Sequence, residues 1–106
     1  MSFVSTRLLA ELNIPSQGIL SRTLHNDEFL KVVIFGFSAG HELSAHTAPM
    51  PATIQILEGS ALVTLGETTQ DLTAGAFVYM PPRLNHAITA TTPMVMLLSM
   101  WKGAKS

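Results

Sequence analysis

The chain has 106 residues, of which 47% are apolar and 12% charged, and its formal net charge is −1. That length suits one domain with one core, and the near balance of charge, with no basic run, excludes an electrostatic footprint for nucleic acid or a polybasic hold on a membrane. The absence of cysteine excludes disulfides, thiolate zinc sites and a cysteine nucleophile, while so apolar a composition on so short a chain predicts an interface between copies, a homo-oligomer.

The opening MSFVSTRLLAELNIP lacks a charged start followed by a long apolar core. No apolar run reaches the roughly 18 residues of a membrane span. The expected location is therefore the cytoplasm. Thr6 to Leu12 fits one short helical turn, which Pro15 ends.

Beyond that point strand signals recur at short intervals. Gly18 to Leu24 and Glu28 to Phe37 read as strands about a turn at Asn26-Asp27, the second rich in β-branched and aromatic residues. Leu43 to Ala48 is a short strand stopped by Pro49 and Pro51, and Ala52 to Leu57 is the next. Ala61 to Leu65 and Thr68 to Leu72 make a hairpin around Gly66-Glu67. Ala76 to Met80 ends at Pro81-Pro82, and His86 to Thr91 and Met94 to Trp101 complete the series. Short strands with turn residues between them predict an all-β antiparallel sandwich or barrel, with 1–106 as a single domain. A barrel this small has a narrow interior lined by side chains.

Two motifs inside this pattern resemble those of the cupin superfamily, specifically the small single-domain, RmlC-like cupins. The first family motif reads G-x5-H-x-H-x3-4-E-x6-G; here Gly40, His46 and Gly59 fall into place. The second reads G-x5-P-x-G-x2-H-x3-N; here Gly75, Pro81 and His86 match. IQILEG and LTAGAFVYMPPRLNHAI also look like the family's segments, and the resemblance runs from about Gly18 to Trp101. It implies a double-stranded β-helix, or jelly-roll barrel, with a central binding pocket, and a homodimer, since small cupins commonly pair through sheet edges. Four positions depart from the pattern. Ala48 stands for the second histidine, Ala52 for the glutamate, Arg83 for the second-motif glycine and Ala90 for its asparagine.

The resemblance implies a divalent metal (Zn, Fe, Ni, Mn or Cu) whose remaining ligands are His46 and His86. Two imidazoles fall short of the three protein ligands of catalytic zinc and of the two-His-one-carboxylate iron site. Glu42, four residues before His46, shares its face if the strand is regular there. Gln55 is out of phase with Ala52 and reads as an exterior or interface amide. His41 and His25 read as loop and turn residues. The methionines, Met50, Met80, Met94, Met96 and Met100, offer soft sulfur that with imidazole suits copper(I), against a plainer role as core filling. Phe77, Tyr79, Arg83, Met50 and Met80 are expected to line the pocket, with Arg83 a possible clamp for an anionic ligand. Trp101 reads as an interface or core anchor.

Three functions remain open at this level. The first is a barrel that binds a small molecule or a metal ion without specified catalysis, its histidine pair serving as general acid, base or anion hold. The second is a metal-dependent cupin enzyme, of dioxygenase, decarboxylase or isomerase type, acting on a small organic acid or ring compound. The third is a structural module for self-association. No nucleophile elbow or phosphate loop supports other chemistries.

Overall fold

Alternating apolar residues and frequent turn formers make the regular structure of this chain almost entirely strand, as the computed structural model, described over residues 2–103, shows. A single 3-10 turn, Leu8–Ala10, stands where the helical turn is expected. Nine strands follow: β1 (Ile19–Asn26), β2 (Leu30–Phe37), β3 (Glu42–His46), β4 (Ala52–Glu58), β5 (Ser60–Leu65), β6 (Thr68–Thr73), β7 (Phe77–Met80), β8 (His86–Ala90) and β9 (Met94–Trp101). Each predicted strand has its counterpart within a few residues.

The strands form two antiparallel sheets, one ordered β1-β2-β9-β4-β7 and the other β3-β8-β5-β6. Their facing sides meet in one core that includes Phe37, Ile54, Ile56, Val63, Ile88 and Met96, as the jelly-roll arrangement requires. A second cluster lies outside the five-stranded sheet. There Ile34, Val95 and Leu97 are covered by Leu8, Leu12 and Ile14 of the N-terminal segment. Arg22 on β1 holds that segment further through Glu11, at 3.3 Å.

Two backbone positions explain motif residues. Gly59 has φ +79°, and a Cβ there would stand 2.1 Å from the Pro93 carbonyl oxygen, so the β4–β5 turn admits only glycine. Arg83, at the family's glycine position, keeps the left-handed backbone with φ 66°, an uncommon conformation for a non-glycine residue. Its N–H donates to the Ala48 carbonyl at 2.7 Å. That bond ties the β7–β8 connection to the β3–β4 connection at one mouth of the barrel. Among the described residues no helix is long and apolar enough to cross a membrane.

Candidate functional site

The two tied connections bring the chemistry together. Residues 47–51 join the end of β3 to the start of β4, and residues 81–85 join the end of β7 to the start of β8. His46, Ala52, Met80 and His86 are the strand residues at these four ends, so all four stand at the same mouth.

His46 and His86 are paired across β3 and β8, with ring centroids 4.2 Å apart and planes tilted by 57°. His86 is buried and His46 is exposed at the rim. Both rings are held alike. His46 Nδ1 lies 2.9 Å from the Ser44 carbonyl oxygen, and His86 Nδ1 lies 2.9 Å from the Leu84 carbonyl oxygen. A carbonyl only accepts, so each Nδ1 carries the proton. In the neutral ring, Nε2 is then the nitrogen with the free lone pair. No described protein group bonds to either Nε2, and no buried polar side-chain atom is left without a partner, so the His86 Nε2 opens to solvent through the mouth. Backbone-anchored Nδ1 with an available Nε2 is how ligating histidines are commonly oriented.

A bulge makes the pairing possible. The β3–β8 register shifts between Leu43 and His46, and the extra residue inverts the facing of the strand. Leu43 opposite Ile88 and His46 opposite His86 both face inward although three positions apart. The same bulge presents the Ser44 carbonyl to the ring. It also overturns the premise for Glu42, which ends exposed, its Oε2 accepting from Thr89 Oγ1 at 3.4 Å.

Inside the opposite sheet, Ala52 is buried and paired on one side with Met80 and on the other with Met100. Met50 is half-buried on the β3–β4 connection. Phe77 and Tyr79 are not in the interior, contrary to expectation. Val78 and Met80 point inward, so their neighbours on β7 face out and are 62% and 57% exposed. With Pro51, Thr53 and Trp101 they line an apolar groove of about 440 Å³ on the outer face. Arg83 has an exposed side chain, and its backbone N–H joins the mouth. Gln55 is exposed on the outer side. His41 sits at the far end of β8, its Nδ1 2.8 Å from Ser38 Oγ, and His25 pairs with Asp27 in the β1–β2 turn at 2.8 Å.

One pair of contributors leaves no mark in the sequence. The Ser44 and Leu84 carbonyls orient the rings, yet a carbonyl has no residue signature. Met100 faces the mouth; its signal is the alternation of Met94, Met96, Leu98 and Met100 along β9. As for the metal, Ala48 and Ala52 offer no lone pair, and among the described residues no group of three or more His, Asp or Glu is placed to hold an ion. The donor set of a hard divalent centre does not fit this mouth.

Known proteins share this architecture. The structure of a conserved protein of unknown function from Streptococcus pyogenes superposes with a TM-score of 0.88 at 30% identity, covering 98% of this chain and 97% of that one. An RmlC-like cupin protein from Desulfovibrio desulfuricans matches at TM-score 0.84 and 27% identity, covering 95% and 98%. A cupin superfamily protein from Desulfitobacterium hafniense shares the fold at TM-score 0.85 and 22% identity, covering 89% and 86%. No curated protein matches the chain. The family described as Cupin domain matches residues 33–100, a span that takes in both histidines and both tied connections, and the chain belongs to that family.

Proposed function

We propose that the protein is a binding barrel that takes a small molecule or a metal ion at its histidine mouth. The observation that carries this reading is the shared anchoring of both rings through Nδ1, which leaves the Nε2 atoms of two rings 4.2 Å apart unclaimed. Neutral, the pair offers two lone pairs to an ion; protonated, it offers two donors to a carboxylate or phenolate. The alanines at 48 and 52 present methyl groups where the family pattern has a histidine and a glutamate, which suits a ligand with a hydrocarbon body. Imidazole nitrogen NMR of the intact protein tests this, with titration by single metal ions and by a panel of small carboxylates and phenols. At least one component is expected to move both Nε2 signals together, an effect lost in His46→Ala and His86→Ala. A panel in which no component moves either ring overturns the reading.

We infer in addition that two copies pair through the outer groove. β7 is a sheet edge, and Phe77, Tyr79 and Trp101 are half-exposed beside it. These three rings offer roughly 300 Å² of apolar area toward the roughly 800 Å² per partner of a stable pair; the edge backbone and Gln55 extend the patch. A second copy would cover both the aromatics and the open edge. Sedimentation of the intact chain is expected to give a dimer; a monomer across the micromolar range overturns this.

A further inference from the structure

Two of the chain's thioethers, those of Met80 and Met100, stand at the same end of the barrel as the imidazoles. We propose that this mouth is a site for a soft monovalent metal ion, copper(I) by class, held by Nε2 of His46 and His86 from one sheet and by the thioethers of Met80 and Met100 from the other. The proposal rests on the histidine pair being the binding group.

Register places the sulfurs. Ala52 lies opposite Met80 on β7 and opposite Met100 on β9. Directly opposed residues share a face with their Cβ atoms about 5 Å apart, so the two methionines stand on either side of one small methyl. Where the family has a carboxylate, this chain has a methyl flanked by two flexible thioethers. All three residues belong to the interior core, and the topology puts them at the end of the barrel where β3 and β8 present the imidazoles. Facing sheets are about 10 Å apart, a distance that an imidazole from one side and a methionine from the other span between them. Rings with centroids 4.2 Å apart are close enough for both Nε2 atoms to reach one ion at about 2 Å each.

The chemistry of this donor set selects the ion. Two neutral nitrogens and two neutral sulfurs suit a soft, singly charged cation, whereas zinc and iron complete an imidazole pair with thiolate, carboxylate or further imidazole rather than thioether, and manganese prefers carboxylate. Such further donors are lacking here: the chain has no cysteine, and among the described residues no group of three or more His, Asp or Glu is placed to hold an ion. Met96 faces the same interior but lies four residues from Met100, about 13 Å along the strand, and Met94 is farther still. Both are fully buried and serve as internal controls.

The test is titration of the intact protein with copper(I), under a reductant and without oxygen, against a competing copper(I) chelator, with zinc(II) titrated in parallel. One copper(I) per chain is expected. Met80→Leu and Met100→Leu, swaps that conserve volume in a packed core, are each expected to weaken copper(I) at least tenfold without moving the zinc response. His46→Ala and His86→Ala are expected to lose copper(I). With silver(I) as a redox-silent probe, the ε-methyl signals of Met80 and Met100 should shift and those of Met94 and Met96 should not. Copper(I) affinity unchanged in both leucine variants overturns the thioether site while leaving the histidine mouth intact. Absence of copper(I) binding, with a small ligand still moving both rings, does the same. Copper(I) bound equally well without either histidine overturns the copper(I) site, whereas the histidine mouth itself falls only if no component of the NMR panel moves either ring.

Discussion

The inner and outer faces of the same strand ends make a sharp contrast. On the inside, Ala52, Met80 and Met100 are packed among core residues beneath the histidine mouth. One residue along, Thr53, Tyr79 and Trp101 lie on the outside and form the apolar groove. The strands, the sheet and the hydrogen-bond ladder are common to both; only the parity of the residue number differs. A strand assigns its side chains alternately, so neighbours such as Tyr79 and Met80 cannot both line one interior. Apolar character alone does not tell the faces apart here, because both are greasy: one is buried within the chain, and the other is proposed to be buried against a second copy.

The most direct way to break this comparison is a neighbouring pair of truncations on β7. Met80 is 2% exposed, and Met80→Ala is expected to cost about 2–5 kcal/mol of stability, through lost transfer energy and the cavity left behind. Tyr79→Ala, on the exposed side, is expected to change monomer stability by about 1 kcal/mol or less. Chemical unfolding of the two variants checks this, and comparable losses would show that the faces are not distinct.

A second pair adds a carboxylate to each face. Ala52→Glu places an acid in a buried position at the mouth, with an expected loss of about 1–3 kcal/mol from overpacking and desolvation. Zinc should then raise the melting temperature, since a third hard donor joins the two imidazoles. Gln55→Glu, on the exposed face of the same strand, should alter neither stability nor zinc response. Thermal melts with and without zinc decide the matter; a zinc response in the Gln55 variant would contradict the assignment of faces.

On the outer face, Tyr79→Ser combined with Phe77→Ser should weaken self-association by about 1–2 kcal/mol and leave the histidine chemistry untouched. Equilibrium sedimentation reads the first effect and imidazole NMR the second. If the association constant stays put, copies meet elsewhere or not at all.

The smallest effect belongs to the rim, in the β1–β2 turn. There the hydrogen bond with His25 is the largest cause, ahead of the Phe29 and Leu30 N–H groups that also bind the carboxylate, holding Asp27 down to about 2 from its ordinary 3.8. A depressed carboxylate contributes stability above its unfolded pKa and loses it as pH falls through the folded value. The contribution should therefore be complete above about pH 4 and fade toward pH 2. Because the turn is solvent-exposed the effect is slight. Acid titration of stability in Asp27→Asn should lack this component; an identical acid profile would show that the turn contributes nothing.

Much of this architecture was legible in the chain. The strands could be placed because Pro49, Pro51, Pro81-Pro82 and the glycines punctuate short β-rich runs, and because both motifs keep their spacing. His46 and His86 were legible as candidates for the same reason. Glu42 misled because the Ser44–Ala45 bulge is invisible to a period of two. Phe77 and Tyr79 misled because alternation gives two faces without saying which is inside. Met80 fixes the answer for β7 only once its pairing with Ala52 is known. The anchoring of the rings was beyond reach because it uses main-chain oxygens.

The sequence by itself determined the all-β class, the strand order along the chain, the two motif histidines and the loss of donors at Ala48 and Ala52, all of which depend on residue identity and local spacing. Only the tertiary structure decided that the two rings share an anchoring geometry, that two thioethers flank Ala52, and that the aromatics of β7 face outward. Each of these depends on register between strands distant in sequence, where a shift of one residue exchanges interior for exterior, and no local pattern records that shift.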